Sequence, residues 1–136
     1  MMRFLPFAAL LLAACSQVPA APEIATGSYA GEGRNRLCIA GDGTAQRAGV
    51  IAYGSGDSNC SASGRVEQAP GGLILVPRGE GDCRIPLIVE GNEVRVGSIP
   101  AACSYYCGPG ATLSGTSFTR LDKAEPVTDL GGDPLC

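Results

Sequence analysis

Glycine and proline interrupt this chain along its whole length and limit how long any helix or strand can be. Its 136 residues include 20 Gly and 10 Pro. After the first 15 residues, no long apolar stripe recurs with the 3.6-residue period of a helix. Short runs of β-branched and aliphatic residues lie between clusters of Gly, Asp, Asn and Ser, a pattern typical of many short strands. The sequence therefore predicts an all-β protein.

The clearest local signal is a pair of β-rich runs that flank Gly91-Asn92. A two-residue connection of this composition favours a primed hairpin turn. The resulting register pairs Glu90 with Glu93 and Leu87 with Val96. Because side chains alternate along a strand, Leu87 and Val96 then share the apolar face, and the two glutamates share the other.

The remaining strand candidates complete a single antiparallel domain at residues 27–121. They are 27–31, 36–40, 48–53, 61–68, 73–76 and 112–121, the last with Gly115 as a candidate bulge. We expect seven or eight strands in an up-and-down meander that closes into a small barrel or a flattened sandwich. A domain of this size buries only a modest core, so we expect it to be stapled by disulfides.

The first 15 residues have the form of an export signal. Met1-Met2-Arg3 precede an apolar run and small residues, as in a secretory signal peptide. Leu12-Ala13-Ala14-Cys15 resembles a bacterial lipobox. The resemblance implies that residues 1–14 are cleaved and that Cys15 becomes the acylated first residue of the mature protein. An ordinary signal peptide is the alternative.

Residues 15–26 are predicted to form a tether between the lipid and the domain, because they are short and rich in proline. Ser16 stands where an Asp holds lipoproteins of enteric bacteria in the inner membrane. By that resemblance, we expect a lipid-anchored protein of the bacterial outer membrane that faces the periplasm. The acyl chains would hold the protein to the membrane, because a mildly acidic protein is not attracted to anionic lipid.

Six cysteines remain besides Cys15, and an even number in an exported domain indicates a disulfide framework. They are Cys38, Cys60, Cys83, Cys103, Cys107 and Cys136. Cys38 with Cys60 is the first expected pair, since each lies near the end of a neighbouring strand. Cys83 is expected to bond to Cys103 or Cys107, and Cys136 to the other. Cys136 would thereby clip the acidic tail, residues 122–136, back onto the domain.

The composition argues against several classes of function. A net charge of -3 disfavours nucleic-acid binding, which needs a basic surface. The chain has no His, which removes the commonest general base and metal ligand, and it has no Cys-x-x-Cys pair. We therefore assign no catalytic residue, metal or cofactor, and we expect a protein that is not an enzyme.

Tyr105 and Tyr106 are the candidate contact residues, because tyrosine is favoured in recognition surfaces. The alternative is structural: one ring would close the open end of the barrel while its neighbour faces water.

Gly27-Ser28-Tyr29 before Cys38, then Cys60, then Gly71-Gly72-Leu73-Ile74-Leu75, resembles the small bacterial alkaline-protease inhibitors and their lipoprotein relatives. Those proteins are eight-stranded barrels with one early disulfide. This chain departs from their pattern by lacking tryptophan and by carrying four further cysteines. Membrane-bound lysozyme inhibitors are similar in size, anchor and barrel type, and neither resemblance identifies inhibitory residues.

The sequence thus predicts a lipid-anchored binding module of the cell envelope. Its expected partner is an envelope protein or a secreted hydrolase. Inhibition of a protease or lysozyme is the more specific version of this hypothesis. The alternative is a structural or assembly lipoprotein without inhibitory activity.

Overall fold

The computed structural model describes residues 24–136, which form a closed eight-stranded antiparallel barrel. Each strand pairs with the next, and the last pairs with the first. The strands are β1 Gly27–Ala30, β2 Arg36–Ala40, β3 Arg47–Tyr53, β4 Asn59–Ala69, β5 Gly72–Pro77, β6 Ile85–Glu90, β7 Glu93–Val96 and β8 Ser117–Arg120. The predicted meander is confirmed, and it closes as a barrel rather than a sandwich. No helix in this part of the chain is long and apolar enough to span a membrane.

The predicted hairpin between β6 and β7 is confirmed residue by residue. Glu90 pairs with Glu93 and Leu87 with Val96. Gly91 has φ +61°, whereas no residue other than glycine has positive φ among those described. Positive φ at the first turn position alone is the pattern of a type II′ turn, which requires glycine there.

The last strand is shorter than predicted. β8 begins at Ser117, five residues after the predicted start at Thr112, because the chain turns before the regular ladder with β7 begins. Within that turn, Thr116 N–H donates to the Leu113 carbonyl at 3.1 Å, and Gly115 has φ +77°. The Gly115 N–H also donates to the Val96 carbonyl at 2.9 Å, and the Val96 N–H donates to the Thr116 carbonyl at 2.8 Å. Gly115 and Thr116 thus lie opposite the single residue Val96, with glycine at positive φ in the first position, which is the pattern of a G1 bulge. The predicted bulge at Gly115 is therefore present, at the entry to β8.

Alternate side chains of every strand fill the barrel. The largest fully buried residues of this core are Tyr29, Leu37, Val50, Leu73, Leu75, Ile85, Leu87, Val94, Val96, Leu113 and Phe118. Eight strands enclose just enough space for such side chains. Burial raises the pKa of Tyr29, whose hydroxyl donates to the Ala25 carbonyl. The interior of the barrel is therefore filled by side chains.

Connections alternate between the two ends of the barrel, because consecutive strands run in opposite directions. The end that we call the cap end has the connections 31–35, 54–58, 78–84 and 97–116. The opposite end, the tether end, has the connections 41–46, 70–71 and 91–92. Ile24 packs into the core at the tether end, where its carbonyl accepts a hydrogen bond from Gln46 Nε2 at 3.0 Å. The chain thus enters the barrel at the tether end.

A second apolar cluster lies outside the barrel, over β2 and β3. Residues 122–136, which we call the strap, turn back on themselves there, and Leu135 N–H donates to the Val127 carbonyl at 2.9 Å. Val127 and Leu135 cover Cys38 and Ile51. Gly49 makes this approach possible, since a Cβ at this position would lie 2.5 Å from the Leu135 Cβ. The strap is therefore seated on a glycine of the outer barrel wall.

Polar contacts hold the start of the strap to β1 and β2. Ser28 Oγ donates to the Glu125 carbonyl and accepts a hydrogen bond from the Glu125 N–H at 2.8 Å. Arg36 and Glu125 form an ion pair at 2.7 Å. Both partners of that pair are partly exposed, so it contributes little by itself.

All six candidate cysteines form disulfides, but the first expected pair is wrong. Cys38 bonds to Cys136 and Cys60 bonds to Cys107. Cys38 points outward from β2, whereas Cys60 points inward from β4 and is fully buried. With β3 between them and opposite faces of the wall, these two sulfurs cannot meet.

The second expectation is half right. Cys83 bonds to Cys103, one of its two predicted partners. Cys136 does not take the other, because Cys107 lies at the cap end and bonds to Cys60 while the strap lies on the outer wall. Cys136 does join the strap to β2, through Cys38.

Candidate interaction site at the capped end of the barrel

Residues 97–116 cross the cap end between β7 and β8, and we call this segment the cap. It contains a short 3₁₀ helix, Ala101–Tyr106. Cys103 bonds to Cys83, just before β6, and Cys107 bonds to Cys60, at the start of β4. The three residues between Cys103 and Cys107 are thus fixed to two different parts of the barrel wall.

Hydrogen bonds reinforce the cap beside Cys107. Gly108 N–H donates to the Asn59 carbonyl at 2.8 Å, and Ser58 Oγ donates to the Pro109 carbonyl at 2.6 Å. Within the cap, Ile99 N–H donates to Ser114 Oγ at 3.2 Å. The cap is consequently an ordered part of the fold, although most of its residues lie outside regular secondary structure.

The two candidate tyrosines have different environments. Tyr106 packs against the barrel core, and its hydroxyl lies 3.4 Å from the Arg78 carbonyl. Tyr105 is 88% exposed, and its ring meets that of Tyr106 edge to face with centroids 5.3 Å apart. Tyr106 therefore helps to close the barrel, which is the structural role predicted for one of the two rings. Tyr105 projects into solvent, and its ring rests against that of Tyr106.

The cap has no charged side chain, although charged residues make up 17% of the chain. The neighbouring connection between β5 and β6 is charged and exposed. Its charged residues are Arg78, Glu80, Asp82 and Arg84. An uncharged centre beside a charged border is the arrangement found at protein interfaces, where charge is depleted in the part that loses water.

Arg34 joins the two other connections beside the cap. Its guanidinium lies over the Tyr53 ring, 3.8 Å from the centroid, and donates to the Gly56 carbonyl at 2.8 Å and to Asp57 at 3.1 Å. Arg34 and Tyr53 are 19 positions apart, so the sequence gives no local sign of this cation–π contact. A guanidinium so close to a ring adds support to the wall on which the cap rests.

A shallow depression of about 310 Å³ also opens at the cap end, beside the β1–β8 seam. Its lining is Glu32, Asn35, Ser114, Gly115, Thr116 and Ser117. Small-molecule sites are mostly apolar and enclosed, and this depression has neither property. Among residues 24–136, no cluster of three acidic or cysteine side chains is placed to hold a metal ion, and no carboxylate is buried.

Cys15, the predicted lipidation site, lies outside the described residues. Comparison of the chain with protein-family models, with curated proteins and with solved structures finds no match. The cap, with Tyr105 at its surface, is therefore the candidate site that this chain's own residues define.

Proposed function

We propose that this chain is a lipid-anchored protein of the bacterial cell envelope that binds another protein through its cap. The observation that carries the proposal is Tyr105, which is 88% exposed between two cysteines that are each disulfide-bonded elsewhere in the barrel. Anchoring at Cys15 is supported by the lipobox-like Leu12-Ala13-Ala14-Cys15. Location in the outer membrane, facing the periplasm, is supported by Ser16.

A rigid cap favours tight binding, because less conformational freedom is lost on association. The two disulfides and the packing of Tyr106 fix the backbone on which Tyr105 stands. Tyrosine presents a large contact area with few rotatable bonds, and buried aromatic side chains dominate the energy of many interfaces. A partner would bury Tyr105 in an uncharged pocket, since the cap offers no counter-charge to a buried ion.

The tether and the cap lie at opposite ends of the barrel. Ile24 enters at the tether end, and residues 16–23 before it can extend over at most roughly 30 Å at about 3.3–3.6 Å per residue. An acyl group on Cys15 would then leave the cap free to face away from the membrane surface. This arrangement suits a partner in the aqueous space rather than a lipid.

Inhibition of a secreted protease or lysozyme is the more specific form of the proposal. A rigid, uncharged protrusion with one aromatic side chain can enter and block a concave active site. An assembly role would use the same surface for a permanent envelope partner. The two differ in outcome: loss of the protein would reduce resistance to added protease or lysozyme only in the first case.

Site-specific photo-crosslinking tests the contact surface. A photoreactive amino acid at Tyr105 should crosslink one envelope or secreted protein in the cell. The same amino acid at Leu130, a strap residue that is 52% exposed, is the matched control. Equal crosslinking from both positions, or none from Tyr105, would contradict the proposal.

Once the crosslinked protein is purified, its affinity for wild-type and variant chains measures how much Tyr105 contributes to the binding free energy. Tyr105→Ala should weaken binding about 30-fold or more, the effect of an interface residue worth roughly 2 kcal/mol. Leu130→Ala should leave the affinity within about twofold. Because Tyr105 is almost fully exposed, the thermal midpoint should stay the same, which separates loss of binding from loss of folding.

A further inference from the structure

The three disulfides have different surroundings. Cys83 and Cys103 are 4% and 1% exposed and belong to the barrel core. Cys60 is also fully buried, and its partner Cys107 lies in the hydrogen-bonded cap. Cys38 and Cys136 lie on the outer wall under the strap, apart from the barrel core: Cys38 is 5% exposed, and Cys136, like Cys107, is partly exposed.

We propose that the Cys38–Cys136 bond is a site of thiol–disulfide exchange, and that a protein dithiol opens it and releases the strap. A thiolate of the dithiol attacks Cys136 Sγ and forms a mixed disulfide, while Cys38 leaves as a thiolate and takes up a proton. The second thiol of the reductant then displaces Cys136. The reductant's dithiol is oxidised to a disulfide, and Cys38 and Cys136 become thiols.

The Cys38–Cys136 bond differs from the other two disulfides in how far its thiols can separate after reduction. If Cys60–Cys107 opens, the Gly108–Asn59 hydrogen bond and the second cap disulfide still hold the sulfurs close together, so the bond re-forms readily. If Cys38–Cys136 opens, Cys136 can move away with the strap. Low effective concentration of the partner thiol then favours the reduced state.

Apart from the disulfide, the strap is held to the barrel by the contacts of Glu125 with Ser28 and Arg36 and by two apolar side chains. Within the strap, Val127 and Leu135 are the buried side chains, and they are set against the ordering of a whole 15-residue segment. The strap also carries four carboxylates and one cation, so its own charges repel one another. They are Asp122, Glu125, Asp129, Asp133 and Lys123. The barrel strands pair with one another without it, so release leaves the fold closed.

Release uncovers an apolar strip on the outer wall. Ile51 is 2% exposed beneath the strap, and Tyr53 packs beside it. Reduction would therefore change the surface of the protein without unfolding the barrel. This site is separate from the cap, so its test does not depend on the proposed function.

Stepwise reduction of the full chain in detergent tests the proposal. Free thiols are blocked first; dithiothreitol is then titrated, and newly exposed thiols are alkylated and mapped by mass spectrometry. Cys38 and Cys136 should be labelled at a dithiothreitol concentration at least tenfold below that needed for the other four cysteines. Simultaneous labelling, or earlier labelling of a cap disulfide, would overturn the proposal.

Hydrogen exchange on the same samples reports release of the strap. The amides of Asp129 and Leu135, which are hydrogen-bonded within the strap, should exchange at least tenfold faster once Cys38 and Cys136 are labelled, while barrel amides stay unchanged. The double variant Cys38→Ser/Cys136→Ser should reproduce that exchange pattern without reductant. Continued protection of the strap amides in the selectively reduced protein would also contradict the proposal.

Discussion

Alanine at Gly49 tests how the strap is seated. Gly49 lies within β3, where it pairs with Cys38 and Ser63 in the ladders on either side. Its φ is not positive, so its backbone accepts alanine. The obstacle is the strap: the new Cβ would lie 2.5 Å from Leu135 Cβ and 2.6 Å from the Leu135 carbonyl oxygen. Carbon atoms in contact need about 3.5–4.0 Å, so Leu135 must move by about 1 Å or more.

The expected cost follows from what Leu135 loses. It is 7% exposed, and full burial of a leucine side chain contributes about 1.5–3 kcal/mol. Replacing glycine by alanine at a compatible position returns about 0.4–1 kcal/mol, because the unfolded chain has less freedom to lose. Gly49→Ala should therefore lower the free energy of unfolding by about 1–2 kcal/mol while the strap is fastened.

The sign should reverse when the strap is free. In the Cys38→Ser/Cys136→Ser background, the strap can leave the new methyl group uncovered, so only the stabilising contribution of about 0.4–1 kcal/mol remains. Urea unfolding of the single, double and triple variants, with the cap disulfides intact, measures both values. Gly64→Ala is the control: its Cβ would meet the Val76 carbonyl in the barrel wall, so it should destabilise both backgrounds equally. An equal cost of Gly49→Ala in the two backgrounds would refute the reasoning.

Two further predictions concern the hairpin and the anchor. Gly91→Val should cost about 1–3 kcal/mol, because valine resists positive φ, whereas Asn92→Val should cost less than about 0.5 kcal/mol. Thermal unfolding compares them, and equal losses would mean that the turn is not type II′. Cys15→Ser should release the protein from the membrane fraction or leave its first 14 residues uncleaved; normal processing with unchanged membrane association would rule out lipidation at this residue.

Local pattern was sufficient to predict the strands and one register. The hairpin at Gly91-Asn92 is set by turn chemistry and by alternation within a few residues, so both could be worked out without tertiary information. Closure of the barrel could be expected from the sequence but not demonstrated, because the pairing of β1 with β8 joins Ala30 to Thr119, which are separated by almost the whole sequence of the domain. The chain between those two residues contains no local signal for that contact.

The cap and the strap were less predictable, since tertiary contacts define both. Thr112–Leu121 has the composition of a strand, but the turn from Leu113 to Thr116 and the bulge at Gly115 delay regular strand pairing until Ser117. Gly49 gives no local sign that a distant leucine will rest on it. Tyr105 could be singled out from its residue type, whereas its exposure depends on where the two neighbouring cysteines are bonded.

Strand alternation alone excludes the pairing of Cys38 with Cys60. In β2, Leu37 and Ile39 are the large apolar residues, so they point inward and Cys38 must point outward. Cys60, Cys83, Cys103 and Cys107 lie in the interior of the barrel or at its capped end. A cysteine on the outer wall needs a partner from a segment that lies outside the barrel, and in residues 24–136 the strap supplies Cys136. The same reasoning explains why loss of this one disulfide should free a surface segment, whereas loss of either of the others disturbs the closed end of the barrel.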